Sequence, residues 1–337
     1  MRALVIDRPG VARVIEMERP ASDPLDATMR IRRIGLCGTD LSTFLGKNPL
    51  VTYPRIPGHE VAATLEHVPA NDVGLSRGMN VTMSPYTSCG QCSACRQGRF
   101  NTCRYNQTLG VQRDGALMDY FSSPVAKLYA APLPVEELCL VEPLTVGCHA
   151  VARGCVTAAD TVAIYGCGGV GLGAVAAAAF RDAHVIAVDI DEKKLAIARN
   201  CGARELINST CEDVHARLQE LTGGHGPDVV IEAIGRPETY RSAVEEVCFA
   251  GRVVYIGYAK EHVSFETRLF VQKELDIRGS RNALPQDFAE VIRMFEQKRF
   301  PTSEAISATV PLEEAPAILR AWSENPAAYT KIMITFD

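Results

Sequence analysis

The chain contains 337 residues, a length that favours about two domains over one small module. Hydrophobic residues make up 47% and charged residues 22%, proportions typical of a folded globular protein, so the composition excludes a disordered chain. The formal net charge of -5 and the lack of any run of five basic residues exclude nucleic acid and an anionic membrane surface as expected partners.

The chain lacks the features of a targeting or membrane segment. Its N-terminal apolar run is short and is interrupted by Asp7, which argues against a signal sequence. The most apolar stretch, residues 170–180, spans 11 residues, whereas a membrane span needs roughly twenty. We therefore expect a cytoplasmic protein. Its 12 cysteines are then expected to be metal ligands, catalytic groups or core thiols rather than a disulfide framework.

The first 145 residues are rich in proline, glycine and short β-type runs, which predicts a β-rich domain. From residue 160 onward, short apolar strands alternate with helical stretches at 191–201, 212–222 and 237–249. This alternation is typical of parallel βαβ units, and it predicts a doubly wound α/β fold. The predicted strands of its sheet are TVAIYG, HVIAVD, ELINS, DVVIEAIG, RVVYIG and ELDIRGS.

We predict three segments along the chain. Residues 1–145 are expected to form a catalytic domain that includes a metal-binding lobe at 86–106, and residues 146–284 a dinucleotide-binding domain. Residues 285–337 contain two helical patterns and end in the strand KIMITF. We expect this last segment to return to the first domain and make it discontinuous, although the pairing of the strand cannot be read from the sequence.

A glycine-rich loop directly follows the strand TVAIYG. Gly166 permits a tight turn, Gly168 lets backbone amides approach a pyrophosphate, and Gly171 lets the next helix pack closely on the strand. The amides at the start of that helix are then free to bind phosphate groups. The predicted cofactor-binding residues of this loop are Gly166, Gly168, Gly169, Val170 and Gly171.

An acidic residue ends the second strand of the same unit. Asp189 follows Gly171 by 18 residues and is placed to accept hydrogen bonds from both adenosine ribose hydroxyls. Its charge would repel a 2′-phosphate, which favours NAD over NADP. Lys194 lies within reach of the same ribose, but a solvated helix lysine explains it equally well.

Four cysteines form a compact pattern in the predicted lobe. The two-residue gaps let neighbouring thiolates turn onto one ion, and four thiolates close a tetrahedron around structural Zn²⁺. An iron–sulfur cluster uses similar spacing, and a disulfide pairing is a further alternative. Nothing else in the chain suggests electron transfer, so we expect zinc. The four predicted ligands are Cys89, Cys92, Cys95 and Cys103.

Three distant segments carry the remaining metal-ligand types. Taken singly, Cys37 is explained as a core thiol and His59 as a hydrogen-bonded loop histidine. Glu142 precedes Pro143, which is expected to open a helix, so Glu142 alone is explained as a helix-capping acid. Only their combination suggests a second, catalytic metal.

The combined motifs resemble the zinc-dependent medium-chain alcohol and polyol dehydrogenases over essentially the whole chain. The resemblance implies a discontinuous GroES-like catalytic domain beside a Rossmann domain. It also implies two zinc ions per chain, NAD as coenzyme, and a homodimer or homotetramer. The residues that carry it are CGTD at 37–40, GHE at 58–60, the cysteines at 89–103, EP at 142–143 and GCGGVG at 166–171.

The resemblance also implies roles at the catalytic metal. Cys37, His59 and Glu142 would be its protein ligands, with a glutamate as in the sorbitol and threonine dehydrogenase branch. Glu60 would be a ligand that replaces water during turnover, and Asp40 would orient the histidine.

The same resemblance assigns proton transfer and the chemistry of the reaction. Thr39 would hydrogen-bond the substrate hydroxyl, and Ser42 occupies the position where many relatives carry a proton-relaying histidine. A zinc ion with an open position acts as a Lewis acid on the bound alcohol, which then transfers hydride to nicotinamide. The site is expected in the cleft between the domains.

The substrate is the least constrained prediction. Arg281, in the segment GSRN, offers a planar guanidinium for a carboxylate or several hydroxyls, but a surface arginine is an equal explanation. The stretches NPLVTYPRIPGHE and GSRNALPQDFAEV resemble the sugar-acid branch of the L-galactonate 5-dehydrogenase type, which favours a polyol or sugar acid. The alternatives are a sorbitol- or threonine-type dehydrogenase on another hydroxy compound, a zinc-free reductase, and a non-enzymatic zinc- and nucleotide-binding regulator.

Overall fold

The chain divides into two compact units in a computed structural model, which describes residues 1–19 and 23–336. The first unit combines Met1–Glu142 with Thr302–Asp337, and the second contains Pro143–Pro301. None of the helices in this described part of the chain has the length and hydropathy of a membrane span.

The N-terminal part of the first unit is mostly β-structure, as its short apolar runs predict. β3 and β4 pair antiparallel, and their apolar side chains, among them Met29 and Val61, are fully buried in the core of the unit. The elements are β1 (Arg2–Arg8), β2 (Val11–Glu16), β3 (Asp26–Leu36), α1 (Gly38–Phe44), β4 (Glu60–His67), β5 (Asn80–Met83), α2 (Ser93–Arg96), β6 (Tyr120–Pro124) and β7 (Leu128–Ala130), with 3₁₀ turns at Phe100–Thr102 and Val125–Lys127. Helix α3 (Val135–Arg153) follows, and its residues from Pro143 onward belong to the second unit.

The second unit is a parallel sheet with alternating helices. Its strand order is β10-β9-β8-β11-β12-β13. Successive strands are thus added on one side of β8 up to β10 and on its other side from β11 onward. This order confirms the predicted Rossmann fold, in which the dinucleotide binds where the side of addition changes. The elements are β8 (Thr161–Tyr165), α4 (Gly169–Phe180), β9 (His184–Asp189), α5 (Glu192–Asn200), β10 (Glu205–Asn208), α6 (Val214–Leu221), β11 (Val229–Glu232), α7 (Pro237–Glu246), β12 (Arg252–Tyr255), α8 (Arg268–Gln272), β13 (Asp276–Gly279) and α9 (Pro285–Glu296).

The C-terminal segment returns to the first unit, which confirms that this domain is discontinuous. β15 lies between β14, with which it pairs in parallel, and β3, with which it pairs antiparallel. The sheet order is β14-β15-β3-β4-β5-β7, and β6 also pairs with β3. The elements are α10 (Thr302–Ala305), β14 (Ala308–Pro311), α11 (Ala315–Glu324) and β15 (Ile332–Thr335), with 3₁₀ turns at Leu312–Glu314 and Pro326–Ala328.

The start of the returning segment differs from the expected boundary at residue 285. Helix α9 belongs to the second unit, and the return begins at Thr302. Phe288 is fully buried there, and Asp287 contacts His149 of the same unit through a 2.9 Å Oδ2–Nδ1 pair. An amphipathic helix does not reveal from its own sequence which core it covers, so the pattern alone misplaced this one.

The helix near Pro143 also differs from the prediction. Pro143 was expected to open a helix with Glu142 just outside it, yet both lie inside α3, which begins at Val135. Proline removes one helical N–H, and packing offsets that loss because Leu138, Cys139 and Val141 in the preceding turn are fully buried. The interpretation of Glu142 as a helix-capping acid is therefore wrong.

Candidate functional site

The first part of the site is built at the start of α1. Cys37 caps this helix, and its Sγ accepts a hydrogen bond from the Thr39 amide at 3.2 Å. The buried Asp40 carboxylate accepts in return from the Cys37 amide, with Oδ2 at 2.9 Å. These reciprocal hydrogen bonds fix Cys37 and Asp40 relative to each other at the start of α1.

The second part is the turn that leads into β4. Gly58 has a φ of +94°, and a Cβ there would lie 3.0 Å from side-chain atoms of Ile34 and Leu117. Its amide donates to Asp40 Oδ1 at 3.3 Å, which ties the turn to α1. His59 is thereby placed with Nε2 3.1 Å from Cys37 Sγ.

The other ring nitrogen of His59 faces Asp40. Nδ1 lies 3.9 Å from Asp40 Oδ1, and it is buried without a hydrogen-bond partner among the described residues. Asp40 therefore contacts the backbone of Cys37 and of Gly58 and lies beside the imidazole. This arrangement agrees with the orienting role that the sequence predicted, which stays a prediction.

Two buried glutamates complete the cluster. Glu60 begins β4 and is 1% exposed, and Glu142 in α3 is 3% exposed. Ligand atoms of Cys37, Asp40 and His59 lie within 4.8 Å of one another, as do those of His59, Glu60 and Glu142. Both groups contain His59, and the role of their residues at a catalytic metal stays a prediction.

Each glutamate has a specific partner. Both oxygens of Glu60 lie within 2.6 Å of the Lys331 ammonium group, and Lys331 is itself buried. The Glu60 carboxylate also covers Gly35, where a Cβ would lie 2.0 Å from Oε2. The Tyr86 hydroxyl donates to Glu142 Oε1 at 2.5 Å. Glu60 must therefore leave a buried ion pair to ligate a metal.

Burial and close negative groups shift the pKa values of the cluster. Burial alone would lower the pKa of His59, but Cys37 and Asp40 raise it well above its ordinary value. Burial raises the pKa of Glu142, while His59 opposes the rise. Burial also raises the pKa of Tyr86, so this hydroxyl stays a proton donor.

The donor set fits a divalent metal ion. Sulfur, imidazole nitrogen and carboxylate oxygen within a few ångströms form a mixed set typical of catalytic zinc, with fewer than four protein ligands. Cys37, Asp40 and Glu142 raise the pKa of His59, so the same groups favour the binding of a cation at this place. The residues present therefore fit the metal that the sequence predicted.

The four cysteines of the lobe also converge. Their Sγ atoms lie within 4.8 Å of one another, and backbone amides point at them, including the Cys92 amide at 3.3 Å from Cys89 Sγ. Backbone amides of Cys95 and Arg104 lower the pKa of Cys92 to about 6. The chain has 12 cysteines and all are free thiols, which excludes the disulfide alternative in this structure. The geometry suits a structural metal.

The glycine loop adopts the geometry that its sequence requires. Gly166 has a φ of +93°, and a Cβ on Gly171 would lie 1.7 Å from the Gly166 carbonyl oxygen. Gly168 caps α4, and a Cβ there would meet no atom within 4 Å, so the space on that side of the residue is open. Gly169 and Val170 form the first turn of α4.

Asp189 ends β9 and is held by backbone amides. Its Oδ2 accepts from the Cys167 amide at 2.6 Å, and its Oδ1 accepts from Ile190 and Asp191 at 2.8 and 3.0 Å. A carboxylate has about four acceptor sites, so capacity remains for ribose hydroxyls. Lys194 lies in the first turn of α5, and its predicted ribose contact stays a prediction.

The remaining predicted residues are placed as follows. Thr39 and Ser42 both lie on α1, beside Cys37 and Asp40. Arg281 is exposed in the segment between β13 and α9 of the second unit. The roles of these three residues in proton transfer and substrate binding stay predictions.

Sequence reasoning missed Tyr86 and Lys331. Tyr86 lies three residues before Cys89, but a tyrosine there gives no signal of its own. Lys331 is 271 residues from Glu60, and only the pairing of β15 with β3 brings the two together. An unusual lysine at the head of the apolar strand KIMITF was the one available clue.

Comparisons with known proteins define the family. Residues 23–134 match the alcohol dehydrogenase GroES-like domain, and residues 169–297 match the zinc-binding dehydrogenase family. An uncharacterized zinc-type alcohol dehydrogenase-like protein of Haemophilus influenzae is 34% identical over 100% of this chain and 99% of its own. The chain therefore belongs to the zinc-dependent medium-chain alcohol and polyol dehydrogenases, and it is an oxidoreductase.

One further relative by sequence and one solved structure are similar to nearly the whole chain. L-galactonate-5-dehydrogenase of Escherichia coli is 31% identical over 92% of both chains. A crystal structure of an alcohol dehydrogenase from Escherichia coli CFT073, complexed with NADH, superposes with a TM-score of 0.91. It is 26% identical and covers 100% of this chain and 99% of its own. The family and the fold expected from the sequence are thus confirmed.

The Glu60–Lys331 pair generates a stability prediction. The change Lys331→Met leaves a buried carboxylate without its cation and is expected to lower the free energy of unfolding by about 3–5 kcal/mol. Urea unfolding measures the loss, and Lys47→Met at an exposed position is the control. The double variant Glu60→Gln/Lys331→Met is expected to recover part of the stability. A loss no greater than that of Lys47→Met would contradict the pairing.

Proposed function

We propose that the protein oxidises a secondary alcohol of a sugar acid or polyol with NAD, as an L-galactonate 5-dehydrogenase-like enzyme. The observation that carries this proposal is His59, whose ring lies within 4.8 Å of Cys37 and Asp40 and also of Glu60 and Glu142, so that donors from three distant parts of the sequence meet at one imidazole. Stability of the fold does not explain why these polar groups lie together, because each buried polar group raises the free-energy cost of folding. A catalytic metal gives the cluster a function.

In this proposal Cys37, His59 and Glu142 hold the catalytic zinc, and the four lobe cysteines hold a structural zinc. The catalytic ion supplies Lewis-acid polarisation of the substrate hydroxyl. Asp40 keeps Cys37 and His59 in position, through the contacts described above. Glu60, released from Lys331, is the proposed exchangeable ligand.

Thr39 and Ser42 are proposed to carry the hydroxyl proton away from the substrate. Both hydroxyl side chains lie on α1, directly after the ligand Cys37. A hydroxyl group both accepts and donates a proton, so two of them, with water or a ribose hydroxyl, suffice for a relay. No histidine is needed at position 42 for such a path.

NAD is the proposed coenzyme, bound by the second unit. The amides at the start of α4 suit the pyrophosphate, and Asp189 suits the adenosine ribose. The relative of known structure that binds NADH supports the same choice. Lys194 is proposed to reach the ribose as well.

The proposed substrate class rests on the relatives and on Arg281. One relative acts on L-galactonate, a polyhydroxy acid, according to its name. The exposed guanidinium of Arg281 is proposed to bind the carboxylate or hydroxyls of such a substrate. The second candidate is another small hydroxy compound of the sorbitol or threonine type, which the same metal cluster would serve.

Turnover on a substrate panel tests the proposed function. NADH formation, followed at its absorbance, is expected with one or more aldonates or polyols and not with ethanol. Cys37→Ala is expected to abolish turnover while NADH binding and the lobe zinc survive, because it removes one of three ligands to the catalytic ion. Cys211→Ala, which changes an exposed thiol, is the control. Full activity of Cys37→Ala would refute the catalytic assignment.

Coenzyme selectivity tests the role of Asp189. Asp189→Ala is expected to raise the KM for NAD by about 10–100-fold, because it removes hydrogen bonds to a charged acceptor. The KM for NADP is expected to rise less or to fall, since a negative charge is lost beside the 2′-phosphate. Steady-state kinetics with both coenzymes measure the ratio, and Glu261→Ala at an exposed position is the control. An unchanged ratio would argue against the ribose contact.

A homodimer or homotetramer is the proposed assembly. Strand β13 ends its sheet, and Ile277 on it is 42% exposed, with Phe249 71% and Val271 82% exposed. Sheet edges of this kind favour association, because they leave backbone groups and apolar side chains uncovered. Multi-angle light scattering at micromolar concentration is expected to give the mass of two or four chains. A monomer would contradict the assembly.

A further inference from the structure

Tyr86 contacts the proposed ligand Glu142 in a buried setting. Tyr86 lies three residues after the end of β5, and its hydroxyl donates to Glu142 Oε1 at 2.5 Å. The tyrosine is 6% exposed and the glutamate 3% exposed. A short hydrogen bond to a carboxylate at this depth is stronger than one between neutral groups. The contact therefore fixes one oxygen of Glu142.

The two buried glutamates of the cluster are held in different ways. Lys331 contacts both oxygens of Glu60 and brings a full positive charge. Tyr86 contacts Oε1 of Glu142 and brings no charge. A neutral donor stabilises the carboxylate without cancelling its attraction for a cation. Lys331 thus pairs with Glu60 as an ion pair, whereas the contact of Tyr86 with Glu142 is a hydrogen bond from a neutral hydroxyl.

The number of ligating oxygens decides whether a catalytic site stays open. A carboxylate has two oxygens, and when both bind they occupy two coordination positions of an ion. A catalytic zinc needs three protein donors and one free position for its substrate. If Cys37 and His59 supplied the other two donors, Glu142 would bind through one oxygen to leave that position free.

We propose that Tyr86 is a positioning residue: by holding Oε1 of Glu142 it would favour binding of the catalytic zinc through a single carboxylate oxygen, which would keep one coordination position open. The inference rests on the proposed function, because it concerns the same metal cluster. It assigns to the tyrosine hydroxyl a role in setting the coordination number, which a contact that only filled the core would not have.

The change Tyr86→Phe tests this role, because it keeps the ring and removes the donor. In zinc-loaded enzyme, the catalytic zinc of Tyr86→Phe is expected to transfer to a chelator about 10–100-fold faster than in the wild type. Zinc in the four-cysteine lobe is an internal reference and is expected to leave at the wild-type rate. Release is followed with a metal-sensitive dye.

The control variant is Tyr53→Phe. The Tyr53 hydroxyl donates to the Thr43 carbonyl at 2.5 Å and the ring packs against the core of the same unit, but neither touches a glutamate of the cluster. Cobalt substituted at the catalytic site supplies a spectroscopic readout. Tyr86→Phe is expected to weaken the visible absorption bands, as a second carboxylate oxygen raises the coordination number, and Tyr53→Phe is expected to leave them unchanged.

The outcomes separate this inference from the proposed function. If wild-type enzyme is fully active with zinc in the lobe alone, the proposed function fails. If it holds both zincs but Tyr86→Phe releases zinc and absorbs light as Tyr53→Phe does, only the role of Tyr86 is overturned. Should Tyr86→Phe not fold, a crystal structure of zinc-loaded wild type decides. One ligating Glu142 oxygen, with Tyr86 on the other, supports the role, and two ligating oxygens overturn it.

Discussion

The burial of negative groups around His59 is the constraint on which the site depends. Cys37 and Asp40 lie within 4.8 Å of this histidine in one group and Glu60 and Glu142 in another, and burial of the three carboxylates makes isolated charges costly. One buried lysine compensates Glu60. Cys37 and Asp40 raise the pKa of His59 well above its ordinary value, which shows how strongly this place favours positive charge. Much of the first unit, from the capped helix α1 to the returning strand β15, serves to hold these groups together.

The second unit meets a different demand, namely to expose backbone donors rather than to bury side-chain ligands. Its parallel strands place the Gly166–Gly171 loop and Asp189 at neighbouring strand ends, because β8 and β9 lie side by side. The Cys167 amide donates to Asp189, so the loop and the acidic residue support each other. The two units differ because their proposed ligands differ. A metal ion is bound by side chains from several segments, whereas a phosphate group is bound by aligned backbone amides.

The sequence predicted what depends on local pattern. The glycine spacing, the CxxCxxC run and the alternation of strand and helix each reflect neighbours in the chain, and the structure shows the corresponding loop, lobe and sheet. The predictions from sequence were wrong where contacts between distant segments determine the structure. Helix α9 covers a core that its own periodicity does not identify, and Pro143 lies inside a helix because the preceding turn is buried. Tyr86 and Lys331 became visible only when the fold placed them against the two glutamates.

The position of Lys331 has a consequence for the order of events during synthesis. Glu60 and Lys331 are separated by 271 residues, and the whole second unit is encoded between them. A ribosome that has produced β4, which begins at Glu60, must therefore still make nearly all the rest of the chain before Lys331 emerges. Until then Glu60 lacks this lysine as a partner of opposite charge. The first unit therefore stays incomplete while the contiguous second unit is translated and can fold.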